Sequence, residues 1–275
     1  MHVRLSVTGG GADPAAEPLL HHLRTGDRAA LDQAIRTART YLRTAPPGDP
    51  GRSVRAGNLL VALLARWQLL GDRRDLDALI ELGVERAAAE PPAAQDVRLL
   101  AIGYRTRFDL DHRPADLDGA VAMFARAAGL PQQSPAVGEA LAGLGAALSE
   151  RYRAAGREQD LTRAESAYRQ ALDGLPADPT DLAVLLLGLA EVLHSVHELT
   201  GDAEALEEAL ELWREVSAVV PAGHGARLPA LHNLAQGLRT WSTLTGDPDD
   251  REEMLRVNRA SLAATPAGQP GHGDC

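Results

Sequence analysis

The sequence predicts an all-α solenoid of about six antiparallel helix pairs, and three observations carry that prediction. Glycine sits at 26, 71, 156, 201 and 246, with His112 in that place once. Five residues further on comes Leu31, Leu76, Leu117, Leu161 or Leu206, and finally Arg251; these anchors are 45, 41, 44, 45 and 45 residues apart. Proline follows the second anchor by 15 residues at Pro46, Pro91, Pro176, Pro221 and Pro266, and by 14 at Pro131. A fixed period of this size marks a repeat array, in which each unit buries its apolar face only against its neighbours.

Residues 1–16, rich in Gly, Ala and Pro, read as a disordered N-terminal lead; Val3, Leu5 and Val7 alternate, but an isolated strand has nothing to pair with. Pro18 opens a short first helix, and the array proper is expected over 17–266. Each later unit has one helix before the glycine and one after. Twelve residues before the glycine lie Leu59, Leu100, Leu144, Leu189 and Leu234, and eight before lie Leu63, Tyr104, Leu148, Leu193 and Leu238. Fifteen before lie Ala56, Val97, Leu141, Leu186 and Leu231, so spacings of 3, 4 and 7 set one helical stripe. The glycine suits the left-handed position after a helix end, and the Asp that often follows suits the cap of the next helix.

The second helices carry Ala34, Leu79, Ala120, Ala164, Ala209 and Met254, then four residues on Ala38, Gly83, Phe124, Tyr168, Trp213 and Asn258. The expected pairs are 18–25 with 28–45, 52–70 with 73–90, 94–110 with 114–129, 135–155 with 158–175, 180–200 with 203–219, and 226–245 with 248–264. Arg251, Asn258 and Ser242 replace residues that are apolar or aromatic in most units, which marks an array end. The fold is expected to stop near Thr265, with 267–275 as a mobile tail.

Ala164, Tyr168, Ala171 and Pro176 stand at the spacing of the second helix of a tetratricopeptide repeat (TPR), as do Ala209, Trp213, Val216 and Pro221, and more loosely Ala34, Ala38, Tyr41 and Pro46. Leu144, Gly145 and Leu148, Leu189, Ala190 and Leu193, and Leu234, Ala235 and Leu238 fit its first helix. The chain therefore resembles the TPR family over residues 18–266, with first helices about two turns longer than the usual 34-residue period allows. It looks most like the long arrays of actinobacterial proteins that often precede a caspase-like (CHAT) or NTPase domain.

That resemblance implies a non-enzymatic scaffold or regulatory module that binds a protein or peptide along a groove lined by the first helices. Matching the family pattern, the inward columns lie 14, 10 and 7 residues before each glycine. They hold Arg98, Arg105, Glu191, His194, His232, Gln236 and Arg239, beside the apolar Leu187, Val61, Ile102 and Leu64. Asn58 and Asn233 match a position where some members hold a peptide backbone or carboxylate. Arginine presents a planar fork to carboxylates, so Arg98, Arg105 and Arg239 lead to an expected partner with an acidic or C-terminal carboxylate segment. An alternative is the sensor segment of a larger CHAT-type protease or NTPase regulator. Array ends offer a route to homo-oligomers.

Composition narrows the classes. A net charge of −10 argues against nucleic acid or anionic membrane as partner. The one cysteine, Cys275, excludes a disulfide framework and a multi-thiolate metal site. The start has no apolar signal-peptide core, and no apolar run is taken as long enough to span a bilayer, so the expected location is cytoplasmic. No Gly-rich phosphate loop or fixed Cys–His pair is seen, and no cofactor is expected. His194, His197 and Glu198 share one helical face at metal-ligand spacing, the basis of a metal-dependent helical enzyme as a further alternative. Against it, His197 belongs to a mostly aromatic column four residues before the glycine: His22, Trp67, Phe108, Tyr152, His197 and Ser242.

Overall fold

A computed structural model describes residues 7, 13–46, 48–131, 135–174, 179–221 and 223–264. Twelve α-helices follow in chain order: α1 (Ala16–Thr25), α2 (Arg28–Thr44), α3 (Gly51–Leu70), α4 (Arg73–Ala87), α5 (Ala94–Asp111), α6 (Pro114–Ala128), α7 (Pro135–Ala155), α8 (Gln159–Gly174), α9 (Pro179–Thr200), α10 (Ala203–Val219), α11 (Arg227–Thr245) and α12 (Pro248–Ala264). No strand occurs among the described residues. This is the all-α solenoid class that the 41–45-residue period predicts, with six helix pairs whose ends fall within three residues of the expected ones.

The turns explain why the period is so visible. Gly26, Gly71, Gly156, Gly201 and Gly246 all have φ between 65 and 75°, and His112 has φ 53°. Each sits directly after a first helix, where a left-handed residue lets its N–H close the last turn. Only glycine takes that conformation without a Cβ clash, and His112 packs edge-on to Phe108 there, with ring centroids 6.0 Å apart. Asp27, Asp72 and Asp202 then accept from the backbone N–H two residues on and cap α2, α4 and α10. His22 and His197 add a second lock: each ring Nδ1 bonds the carbonyl of the capping Asp, at 2.9 and 2.8 Å.

Residues 1–140 and 141–275 form two compact units, the division falling inside α7. In the first, consecutive helices pack from α1 to α6, and α3 also touches α1 and α5. In the second, α8 to α12 pack in sequence, and α9 also touches α11. The cores are mostly Leu and Ala, including Leu60, Leu63, Leu64, Leu76, Leu79, Leu99 and Phe124 in the first unit and Leu148, Leu189, Leu206, Leu210, Trp213 and Leu238 in the second.

Two expectations are corrected here. Asp13, Ala15 and Ala16 are buried, so the last residues of the expected lead are packed into the fold. Asp13 accepts from the Ala15 backbone N–H and from Asn58, and it pairs with Arg55; this carboxylate just ahead of α1 ties the lead to α3. The Val3–Val7 alternation lies almost wholly outside the described residues, as do Pro266 and 267–275. The second correction concerns α9, whose 22 residues are long and apolar enough to cross a membrane by length and composition. In this fold Ala183, Leu185, Leu186, Leu189, Ala190, Val192 and Leu193 of α9 are buried, and the helix packs against α8, α10 and α11.

Packing between pairs follows a size exchange. A Cβ added to Gly188 of α9 would lie 2.5 Å from the Tyr168 ring of α8, and one on Gly237 of α11 would lie 2.9 Å from Trp213 of α10. Between α4 and α5 the exchange runs both ways, with small Gly83 facing Leu100 and small Gly103 facing Leu79. Gly188→Ala therefore costs about 1–3 kcal/mol of overpacking, which outweighs the roughly 1 kcal/mol gain in helix propensity. A lower thermal midpoint is the expected result, and a higher one would refute the α8–α9 register.

Candidate binding cleft

A cleft of about 280 Å³ opens in the second unit. Three first helices line it: α7 with Ser149, Tyr152 and Arg153, α9 with Glu191, Val192, His194 and Ser195, and α11 with Asn233 and Gln236. Leu161 of α8 and Trp213 of α10 complete the lining. One face of each first helix is thus directed to a common space, because the leucine stripes of α9 and α11 at −15, −12 and −8, and Leu148 at −8 of α7, are committed to the core.

Four of the residues expected to bind meet here: Glu191, His194, Asn233 and Gln236. The Asn233 amide donates to Glu191 Oε1 at 3.5 Å, the long end of a hydrogen bond. Glu191 lines the cleft and is exposed to solvent. Burial raises its carboxyl pKa, against the opposing effects of Arg153 and Asn233. His194 rests against the Trp213 ring, centroids 5.5 Å apart and tilted 56°. Burial lowers its imidazole pKa, Glu198 raises it from an Nδ1–Oε2 distance of 3.8 Å, and His197 lowers it further. His232 is exposed beside the cleft, where Gln236 Nε2 donates to its Nε2 at 2.6 Å.

The arginine expectation fails in its first member. Arg98 was expected to face the groove; it is 2% exposed and pairs with Glu139 at 3.0 Å, and burial lowers its pKa. A side chain so enclosed is held by the core and is not presented to a partner. Asn58 is corrected likewise. At 1% exposed it does hold a carboxylate, but that carboxylate is Asp13 of the same chain, 2.7 Å away. Arg105 is half-buried on α5, and Arg239 is exposed on α11 without lining the cleft. His197 spends its Nδ1 on the Asp202 carbonyl, and among the described residues no cluster of three or more His, Cys, Asp or Glu has metal-site geometry.

Tyr152, Arg153 and Trp213 were missed as lining residues. The first two lie three and four residues beyond Ser149, one turn along the same face of α7, so extending the inward columns by one turn would have found them. Trp213 is 1% exposed, and its indole Nε1 has no hydrogen-bond acceptor.

No protein-family model matches the chain, and neither does any curated protein sequence. Solved structures do match its fold. BtubC (BKLC) from P. vanneervenii is 16% identical, covers 94% of this chain and 97% of its own, and superposes with a TM-score of 0.53. The nuclear import adaptor Nro1 of S. pombe is 13% identical over 98% of this chain and 97% of its own, with a TM-score of 0.56. The chain has a TPR-like helical-repeat fold. At these identities the likeness concerns architecture alone.

Proposed function

We propose that the chain is a non-enzymatic binding scaffold that holds a peptide segment of a partner protein in the cleft between α7, α9 and α11. One observation carries this reading: the cleft gathers polar side chains from three successive first helices over an apolar floor of Leu161, Val192 and Trp213. Convergent polar groups around an apolar wall are how binding sites fix orientation and gain affinity. The amides of Asn233 and Gln236 and the hydroxyls of Ser149 and Tyr152 suit a peptide backbone, which offers donors and acceptors in alternation. The acidic partner expected from three groove arginines loses its basis at Arg98, which is spent on Glu139.

The test uses a displayed library of random 12-residue peptides panned on the full chain. Peptides are expected to enrich on the wild type and to lose binding on Ser195→Arg, which fills the cleft. Binding should persist on Glu81→Arg, an exposed site on α4. Surface changes of this kind cost less than about 0.5 kcal/mol, so helicity should be unchanged in both variants. No enrichment, or binders indifferent to Ser195→Arg, would overturn the proposal.

A further inference from the structure

We infer that the partner presents a lysine or arginine side chain to this cleft, with Glu191 as its counter-ion; the inference rests on the binding reading above. Glu191 forms no ion pair among the described residues, and the one hydrogen bond to its carboxylate there is the long one from Asn233. A cleft-lining carboxylate so sparsely compensated gains from an incoming cation, because hydrogen bonds between charged partners are the strong ones. The apolar wall of Leu161, Val192 and Trp213 fits the methylene stem that lysine and arginine carry behind their charge.

A second observation also points to a ligand. Trp213 lines the cleft, is 1% exposed, and its indole N–H is left without an acceptor. Buried indole N–H groups ordinarily find one, and the backbone carbonyl of a bound peptide is an acceptor of the right kind. The basic side chain and the carbonyl thus come from the same ligand.

Charge sets the sign. Residues 141–275 contain 11 arginines against 21 aspartates and glutamates, whereas 1–140 contain 17 of each. The unit with the cleft therefore carries the whole net charge of −10 and attracts a cationic segment at long range. Arg153 opposes this locally, but it and Glu191 are both exposed, so water screens the contact between them and Arg153 offsets the carboxylate only in part.

The experiment uses the peptides whose binding Ser195→Arg abolishes. Lys and Arg should exceed Asp and Glu among them. Dissociation constants of the most enriched, fluorescein-labelled peptide are then measured by anisotropy on wild type, Glu191→Gln and Arg153→Gln. Glu191→Gln is expected to weaken binding about tenfold, the loss of one charge-assisted hydrogen bond, and Arg153→Gln to strengthen it. The opposite pair of shifts, or an excess of Asp and Glu, overturns the basic-side-chain inference and leaves peptide binding intact. No Ser195→Arg-sensitive peptide at all overturns both.

Discussion

Asp160→Ala is expected to destabilise the second unit by about 3–5 kcal/mol, the cost of breaking a buried ion pair by removing one partner. Asp160 is 0% exposed, and Arg151 donates to it from both Nε and Nη2, each at 2.7 Å. The pair spans nine residues across the α7–α8 turn, with the arginine five residues before the glycine and the aspartate four after. The same device recurs in the first unit. Arg66 holds Asp75 at 2.7 and 2.6 Å, and Arg107 holds Asp116. These hydrogen bonds raise the guanidinium pKa of both arginines. In α9–α10 the two positions are Val196 and Ala205, and that hairpin forms without the pair.

Nature has thus placed the apolar control in the same chain. Arg151→Val combined with Asp160→Ala should recover most of the loss, since replacing both members of a buried pair by apolar groups is often neutral or stabilising. Urea unfolding followed by helical circular dichroism measures the loss, and amide exchange places it in α7 and α8. A single variant that unfolds like wild type would mean the pair is only a decorated surface contact. A double variant as damaged as the single would mean that Arg151 or Asp160 acts through other partners.

This Arg–Asp spacing shows where the sequence was legible and where it was not. Apolar period, left-handed glycines and capping aspartates are local signals, written within one turn of the residue they govern. They located all twelve helices. The ion pairs join residues across a turn, and their register depends on how two helices lie side by side; neither Arg66 nor Asp75 stands out in a linear reading. Inward columns were legible for Glu191, His194 and Gln236, because those positions follow helix phase, and the family match added Asn233. The columns misled at Arg98 and the match at Asn58, because helix position says which way a side chain leaves its helix and not what already stands there. Glu139 and Asp13 occupy those places. Size exchange was hidden for the same reason, since Gly188 and Gly237 make sense only beside Tyr168 and Trp213.

Trp213→Ala is the other large effect, a loss of about 3–5 kcal/mol from deleting a large buried side chain and leaving a cavity that helices cannot fully close. Trp213 fills the space that Gly237 leaves on α11, lies beside Leu210 at that contact, and carries the His194 ring. Its counterpart in the last pair, Asn258 of α12, is exposed; Asn258→Ala should cost less than about 0.5 kcal/mol. Equal losses in denaturant unfolding would break the column alignment on which the repeat reading stands. Since Trp213 also floors the cleft, the variant should lose peptide binding as well, and binding alone cannot separate the two roles. Trp213→Phe does so, because it keeps most of the ring volume and removes the N–H. It is expected to retain most of the stability while binding the selected peptide more weakly, as the carbonyl loses its donor. Full affinity in Trp213→Phe would confine the residue to packing.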